Sequence, residues 1–283
     1  MAGLLSGLSS LGLGNLEDAK VFEEPKEEQN ANKHVIDMPE VLEKDLIYDR
    51  SFECPVCDKK ITSKVMKTGK AKLSHTDKDL RVVYEGLDAQ KYDVVTCPAC
   101  GFSALTRYFK PMAPTQVKLI KENICKNVKI RQNTGEIYTY EEALERYKLA
   151  LACAIVKQAK ASEKAYICLK SAWLLRGFRE ELSKEQGNQI KCEEMQAEEK
   201  EYLKNALEGF LAAKGTESFP MCGMDENTVD YLIAVLAFEF GRYDIASKLV
   251  ASLLTSPSVN ARMKDKVREL KDELLVELKK TKG

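Results

Sequence analysis

Four cysteines in two Cys-x-x-Cys pairs, Cys54-Pro55-Val56-Cys57 and Cys97-Pro98-Ala99-Cys100, are the residues of this chain best suited to chemistry. Two residues between sulfurs let one tight turn aim both thiolates at a single cation, and the proline after each first cysteine stiffens that turn. Gly101 follows the second pair and offers a permissive backbone position where the chain must curl around a metal. The spacing predicts a structural zinc site, one ion per chain, with Cys54, Cys57, Cys97 and Cys100 as ligands. Four thiolates close the tetrahedron, whereas a catalytic zinc keeps a position open for water or substrate. A redox dithiol and plain core cysteines are the competing readings. The redox reading calls for a single pair at a strand–helix junction, and here two pairs lie in a strand-rich stretch. His75, between the pairs in Leu73-Ser74-His75-Thr76-Asp77, reads as an exposed loop histidine rather than a ligand in place of one sulfur.

The elements that must position these cysteines are short strands. Ile61–Met66, Arg81–Tyr84 and Tyr92–Thr96 are β-branched or aromatic runs separated by turn-formers such as Lys67-Thr68-Gly69 and Glu85-Gly86. The distance from Cys57 to Cys97 exceeds what a minimal zinc ribbon needs. An inserted hairpin or loop within residues 70–91 must therefore bring the two cysteine turns face to face.

After Pro114 no proline occurs until Pro220, and the hydrophobic pattern becomes helical. Thr139-Tyr140-Glu141-Glu142 has the form of a capping box, followed by Ala143, Leu144, Tyr147, Ala150, Leu151, Ala154 and Ile155 at the 3.6-residue period. Further helices are predicted from about Ser162, to about Ala213 after Gly187-Asn188, from an Asp225 cap, and over about residues 242–254 and 259–279. Short links between amphipathic helices make an antiparallel array. Phe240-Gly241-Arg242-Tyr243-Asp244-Ile245-Ala246 resembles the inter-helix turn of a tetratricopeptide repeat, and Tyr140-Glu141-Glu142-Ala143 with Tyr147 and Ala150 repeats its second-helix signature. The expected fold is α+β, mainly α. Residues 1–50 form a flexible tail and linker, 51–113 a zinc-ribbon-like module, and 114–283 a tetratricopeptide-like helical domain.

Charge is uneven although the net is zero. Residues 1–50 carry −6, residues 51–131 carry +8 and the remainder −2. Met1–Leu16 is leucine-rich but broken by glycines and serines, too short for a membrane span and without the basic start of a signal peptide. Nine cysteines without a regular framework point to a reducing compartment, hence the cytoplasm. A phosphate-cradling glycine loop and a His-Glu-x-x-His motif are both lacking. Asp225-Glu226 is explained by capping and the helix dipole. The sequence thus predicts a protein that is not an enzyme.

The carriers of a family resemblance are Phe52-Glu53-Cys54-Pro55-Val56-Cys57, Tyr92 to Ala104, Ala172-Trp173-Leu174-Leu175-Arg176 and Gly223 to Ile233, in that order. Over about residues 51–280 the chain resembles the bacterial domain of unknown function 2225. The resemblance implies a cytoplasmic protein with a zinc-ribbon-like module followed by tetratricopeptide-like helices, and it implies no activity. One departure is Ala234-Val235-Leu236-Ala237-Phe238-Glu239-Phe240, apolar where a more basic helix is expected.

The leading functional expectation is a protein–protein interaction platform whose helical array binds another protein or peptide. Trp173 and Arg176 are its candidate partner-binding residues, as residue types that dominate binding hot spots. The alternative is a nucleic-acid-binding or transcription-associated module. In it Lys59, Lys60, Lys64 and Lys67 contact phosphates, and Phe52, Tyr84, Tyr92 and Phe102 stack on bases.

Overall fold

A computed structural model describes residues 41–129 and 135–280. The leucine-rich stretch and acidic linker of residues 1–40 lie outside the described residues. Three antiparallel hairpins come first. β1 (Ile47–Glu53) pairs with β2 (Lys60–Met66), β3 (Leu73–Thr76) with β4 (Val82–Tyr84), and β5 (Val94–Thr96) with β6 (Ser103–Leu105). In β2 the alternation is clean: Ile61, Ser63 and Val65 turn inward, as a half-buried strand requires. The inserted hairpin anticipated within residues 70–91 is β3–β4.

Seven α-helices follow among the described residues: α1 (Pro114–Ile120), α2 (Tyr140–Val156), α3 (Ala161–Leu182), α4 (Gln189–Thr216), α5 (Glu226–Glu239), α6 (Tyr243–Thr255) and α7 (Ala261–Lys280). The Thr139 capping box is formed in full: Glu142 N donates to Thr139 Oγ1 at 3.2 Å and Thr139 N to Glu142 Oε2 at 2.9 Å. Asp225 caps α5 by accepting from Thr228 N at 2.8 Å. This is the α+β, mainly α architecture the pattern predicts, hairpins first and helical array after.

Two features depart from the periodicity. Helix α1 and the π-turn that continues it over Lys121–Cys125 had no distinct signal, because Pro111, Pro114 and scattered lysines mask a single apolar stripe ending at Ile120. Ile155, in phase with the buried face of α2, is instead 58% exposed.

The hairpins and helices share their cores. β5 and β6 lie against α2: Val94 and Leu105 join Ala143, Tyr147, Ala150 and Ala154 in one buried cluster. Helix α5 is buried from Val229 to Ala237 and forms the centre of the array, which accounts for its apolar departure from a basic pattern. No helix among the described residues is long and apolar enough to cross a membrane.

Candidate metal centre

Each Cys-x-x-Cys pair is the turn of a hairpin. The first knuckle joins β1 to β2 beyond the Glu53–Lys60 pair, and the second joins β5 to β6 beyond Thr96–Ser103. Both use one backbone pattern. Cys54 N donates to Lys59 O at 3.0 Å and Asp58 N to Cys54 O at 2.9 Å; Cys97 N donates to Phe102 O and Gly101 N to Cys97 O, both at 2.8 Å. Closing the turn requires a left-handed residue after the second cysteine. Asp58 takes it at φ 59° and Gly101 at φ 78°. Only glycine fits the second knuckle, where an added Cβ would stand 2.2 Å from Val128 Cγ1.

The knuckles bring four sulfurs together. Cys54 Sγ lies 3.6 Å from Cys100 Sγ, Cys57 Sγ lies 3.6 Å from Cys97 Sγ, and all four ligand atoms fall within 4.8 Å of one another. Metal–sulfur bonds of about 2.3 Å in a tetrahedron imply sulfur–sulfur edges of about 3.8 Å, so the cluster has the size of such a cage. Backbone N–H groups of Val56 and Cys57 point at the Cys54 sulfur, and those of Ala99 and Cys100 at Cys97. Such donors stabilise thiolate charge. Without a cation the neighbouring Cys100 thiol and burial push the Cys54 thiol well above its usual range, and burial raises Cys97. Cys54 and Cys97 are fully buried, Cys57 and Cys100 partly exposed. The four cysteines can therefore hold a metal ion with no ligand position left over.

The surroundings brace the site. Phe102, Phe109, Val56 and Ile61 pack around the knuckles together with Ile120 of α1 and Cys153 of α2. A fifth thiol stands beside it: the π-turn after α1 packs Cys125 against the cluster that contains Cys54 and Cys97. Nothing in the spacing of Cys125 announced this. His75 is exposed and pairs with Asp77 at 3.2 Å, away from the cluster.

The other candidate residues are dispersed. Lys59 and Lys60 are exposed at the first knuckle. Lys64 reaches Asp49 at 3.4 Å, and Lys67 Nζ donates to Asp45 O at 2.8 Å. Of the aromatics, Tyr92 and Phe102 are buried, and Phe52 and Tyr84 are partly covered. Trp173 is 6% exposed, and its indole N–H donates to Asp79 Oδ2 at 3.0 Å. Arg176 binds Asp79 through Nη2 at 2.7 Å, Asp77 through Nη1 at 3.0 Å and Glu199 through Nε at 2.6 Å. Burial alone would lower the Arg176 pKa, but its pairing with Asp79 and Glu199 outweighs that and raises it. Trp173 and Arg176 thus meet each other, but over the tip of the β3–β4 hairpin. Sequence reading overlooked Asp77 and Asp79, because carboxylates interleaved with Lys78 and Arg81 in a turn read as solvated.

Comparison with curated proteins and with solved structures finds no match. Residues 47–274, spanning both cysteine knuckles and the array into α7, match the model of the DUF2225 family, described as an uncharacterized protein conserved in bacteria, and the chain belongs to that family.

Proposed function

We propose that the cysteine cluster holds one structural zinc ion and that the protein is a non-enzymatic, cytoplasmic platform whose helical array binds another protein or peptide. All-sulfur donors at this spacing suit zinc over the oxygen-seeking divalent cations. The observation that carries the platform reading is the β3–β4 tip, a turn with two aspartates gripped by side chains of α3, α5 and α7. The array face has the chemistry to hold a protein segment.

Other features support the same reading. The cleft of about 650 Å³ between the hairpins and α2–α3 contains Glu43, Asp88, Lys91 and Tyr140. Lys91 pairs with Glu43 at 2.6 Å, and Asp88 accepts from Tyr140 Oη at 3.2 Å and from Gln90 N at 2.9 Å. Those groups serve one another rather than a substrate. Nine free cysteines suit a reducing compartment. The nucleic-acid alternative loses ground, because Lys64 and Lys67 are engaged by the protein's own oxygens and two of the four candidate stacking rings, Tyr92 and Phe102, are buried in its core.

Affinity capture with full-length, metal-loaded protein from a bacterial lysate, with and without nuclease and at two salt concentrations, tests the proposal. Stoichiometric recovery of a protein that survives nuclease and salt is the expected result. Recovery abolished by nuclease and by raised salt overturns it.

A further inference from the structure

The β3–β4 hairpin has little to hold it in place by itself. It forms its own two-stranded sheet, its register slips between Leu73 and His75, and Leu73, Ser74 and His75 are exposed. An isolated two-stranded hairpin is marginal in water. Its turn also places Leu80, a bulky residue, at φ 72°, in the left-handed region. Tertiary contacts must sustain that conformation.

Those contacts run from the turn to alternate helices of the array. Asp77 and Asp79 are held by Arg176, and Asp79 by Trp173, both on α3. Lys78 pairs with Glu273 on α7 at 2.5 Å and stands 4.6 Å over the Phe238 ring on α5. Leu80 packs against the apolar clusters built around α5. Helices taken alternately from an array of helical hairpins share one face, so the tip lies on a single surface built from α3, α5 and α7. These contacts are of the kinds a docked peptide makes: charge-assisted bonds to a guanidinium fork, one indole donor, a lysine paired with a carboxylate over an aromatic ring, and one apolar anchor.

The site is also ready for such a segment. Glu199 of α4 engages Arg176 Nε, which turns both Nη groups outward to receive carboxylates. The buried indole N–H has no role but donor. Beside Asp79 the tip leaves a cavity of about 240 Å³, lined by Arg176, Val235, Phe238 and Glu239, so it fills the surface incompletely.

We propose that the face shared by α3, α5 and α7 is a recognition site for an acidic Asp-x-Asp-apolar segment of a partner protein, and that the chain's own β3–β4 tip occupies it until such a segment displaces it. This rests on the platform reading and names its site and the chemistry of its partner. The hairpin is then a resident ligand.

The probe is a fluorescein-labelled peptide with the sequence of residues 76–81, Thr-Asp-Lys-Asp-Leu-Arg, titrated into full-length, metal-loaded protein. Lys78→Ala combined with Leu80→Ala removes the tip's ion pair with Glu273 and its apolar anchor and leaves Trp173, Arg176 and Glu199 intact. The double variant should bind the peptide at least tenfold more tightly than the unaltered protein, and Arg176→Gln in that background should abolish binding. Substituting both aspartates of the peptide by alanine should do the same. Hydrogen exchange gives a second readout, because backbone amides of residues 73–84 should lose protection in the unaltered protein as peptide saturates it. A folded double variant that ignores the peptide, or hairpin amides that stay protected at saturation, would refute the resident-ligand inference. Partner capture that persists in that case keeps the platform reading and locates its surface elsewhere, whereas loss of capture with peptide binding intact refutes the platform reading alone.

Discussion

Replacing Cys97 by serine tests the metal centre and how far its influence extends. Structural zinc sites release about 10–16 kcal/mol on binding, and losing one thiolate of four removes about a quarter of that, roughly 3 kcal/mol or more than a hundredfold in affinity. The fold limits the damage. The knuckles share a buried cluster with Ile120 of α1 and Cys153 of α2, and Ser103 N donates to Cys153 Sγ at 3.4 Å, so disorder at the site reaches α1 and α2. Helices α3 to α7, with 22, 28, 14, 13 and 20 residues, have apolar clusters of their own, while α1 and α2 hold only 7 and 17. Cys97→Ser should therefore give up its zinc to a chelator concentration about a hundredfold lower than the unaltered protein needs, by elemental analysis, and on losing it shed no more than about a fifth of the 222 nm ellipticity, in proportion to α1 and α2. Purified unaltered protein should carry one zinc per chain. If metal-free protein keeps the knuckle amides protected from exchange, or if Cys97→Ser loses most of its helix, the reasoning fails.

Gly101→Ala should cost about 2–4 kcal/mol, from the left-handed backbone together with the clash on Val128, whereas Gly69→Ala, at a similar φ with nothing within 4 Å, should cost about 1 kcal/mol; thermal melts of the two variants compare them. Burial lifts the Cys153 and Cys168 thiols to about 11, so neither should react with iodoacetamide at pH 8 until the protein unfolds, as peptide mapping would show. Burial tends to raise the Asp77 carboxyl, but Arg81 and Arg176 more than offset this and hold it below the usual carboxylate range. A carboxylate depressed in the folded state stabilises docking fully above its unfolded value near 3.9 and loses that contribution as pH falls through the lower folded value. Emission from Trp173, the single tryptophan, should stay constant from pH 8 to 5 and shift only below about pH 4. A shift above pH 5 that coincides with zinc release would tie docking to the metal rather than to Asp77.

Much of this protein is decided locally and was legible without coordinates. Two Cys-x-x-Cys turns can close on an ion wherever their strands run, because each knuckle is built from its own backbone: the bonds from Cys54 to Lys59 and from Cys97 to Phe102 span five residues. The Thr139 and Asp225 caps and the 3.6-residue pattern belong to the same class, since capping and amphipathicity act within a few turns. The partners of Trp173 and Arg176 are another matter. Asp79 lies 94 and 97 residues away in the chain, and only the docking of β3–β4 onto α3 turns a hydrated acidic turn into the buried counter-charge of an arginine. The exposure of Ile155 and the packing of Cys125 against the cysteine cluster have the same origin. Each depends on which neighbour the tertiary fold sets against a helix, and a pattern that repeats along one helix carries no information about what stands across from it.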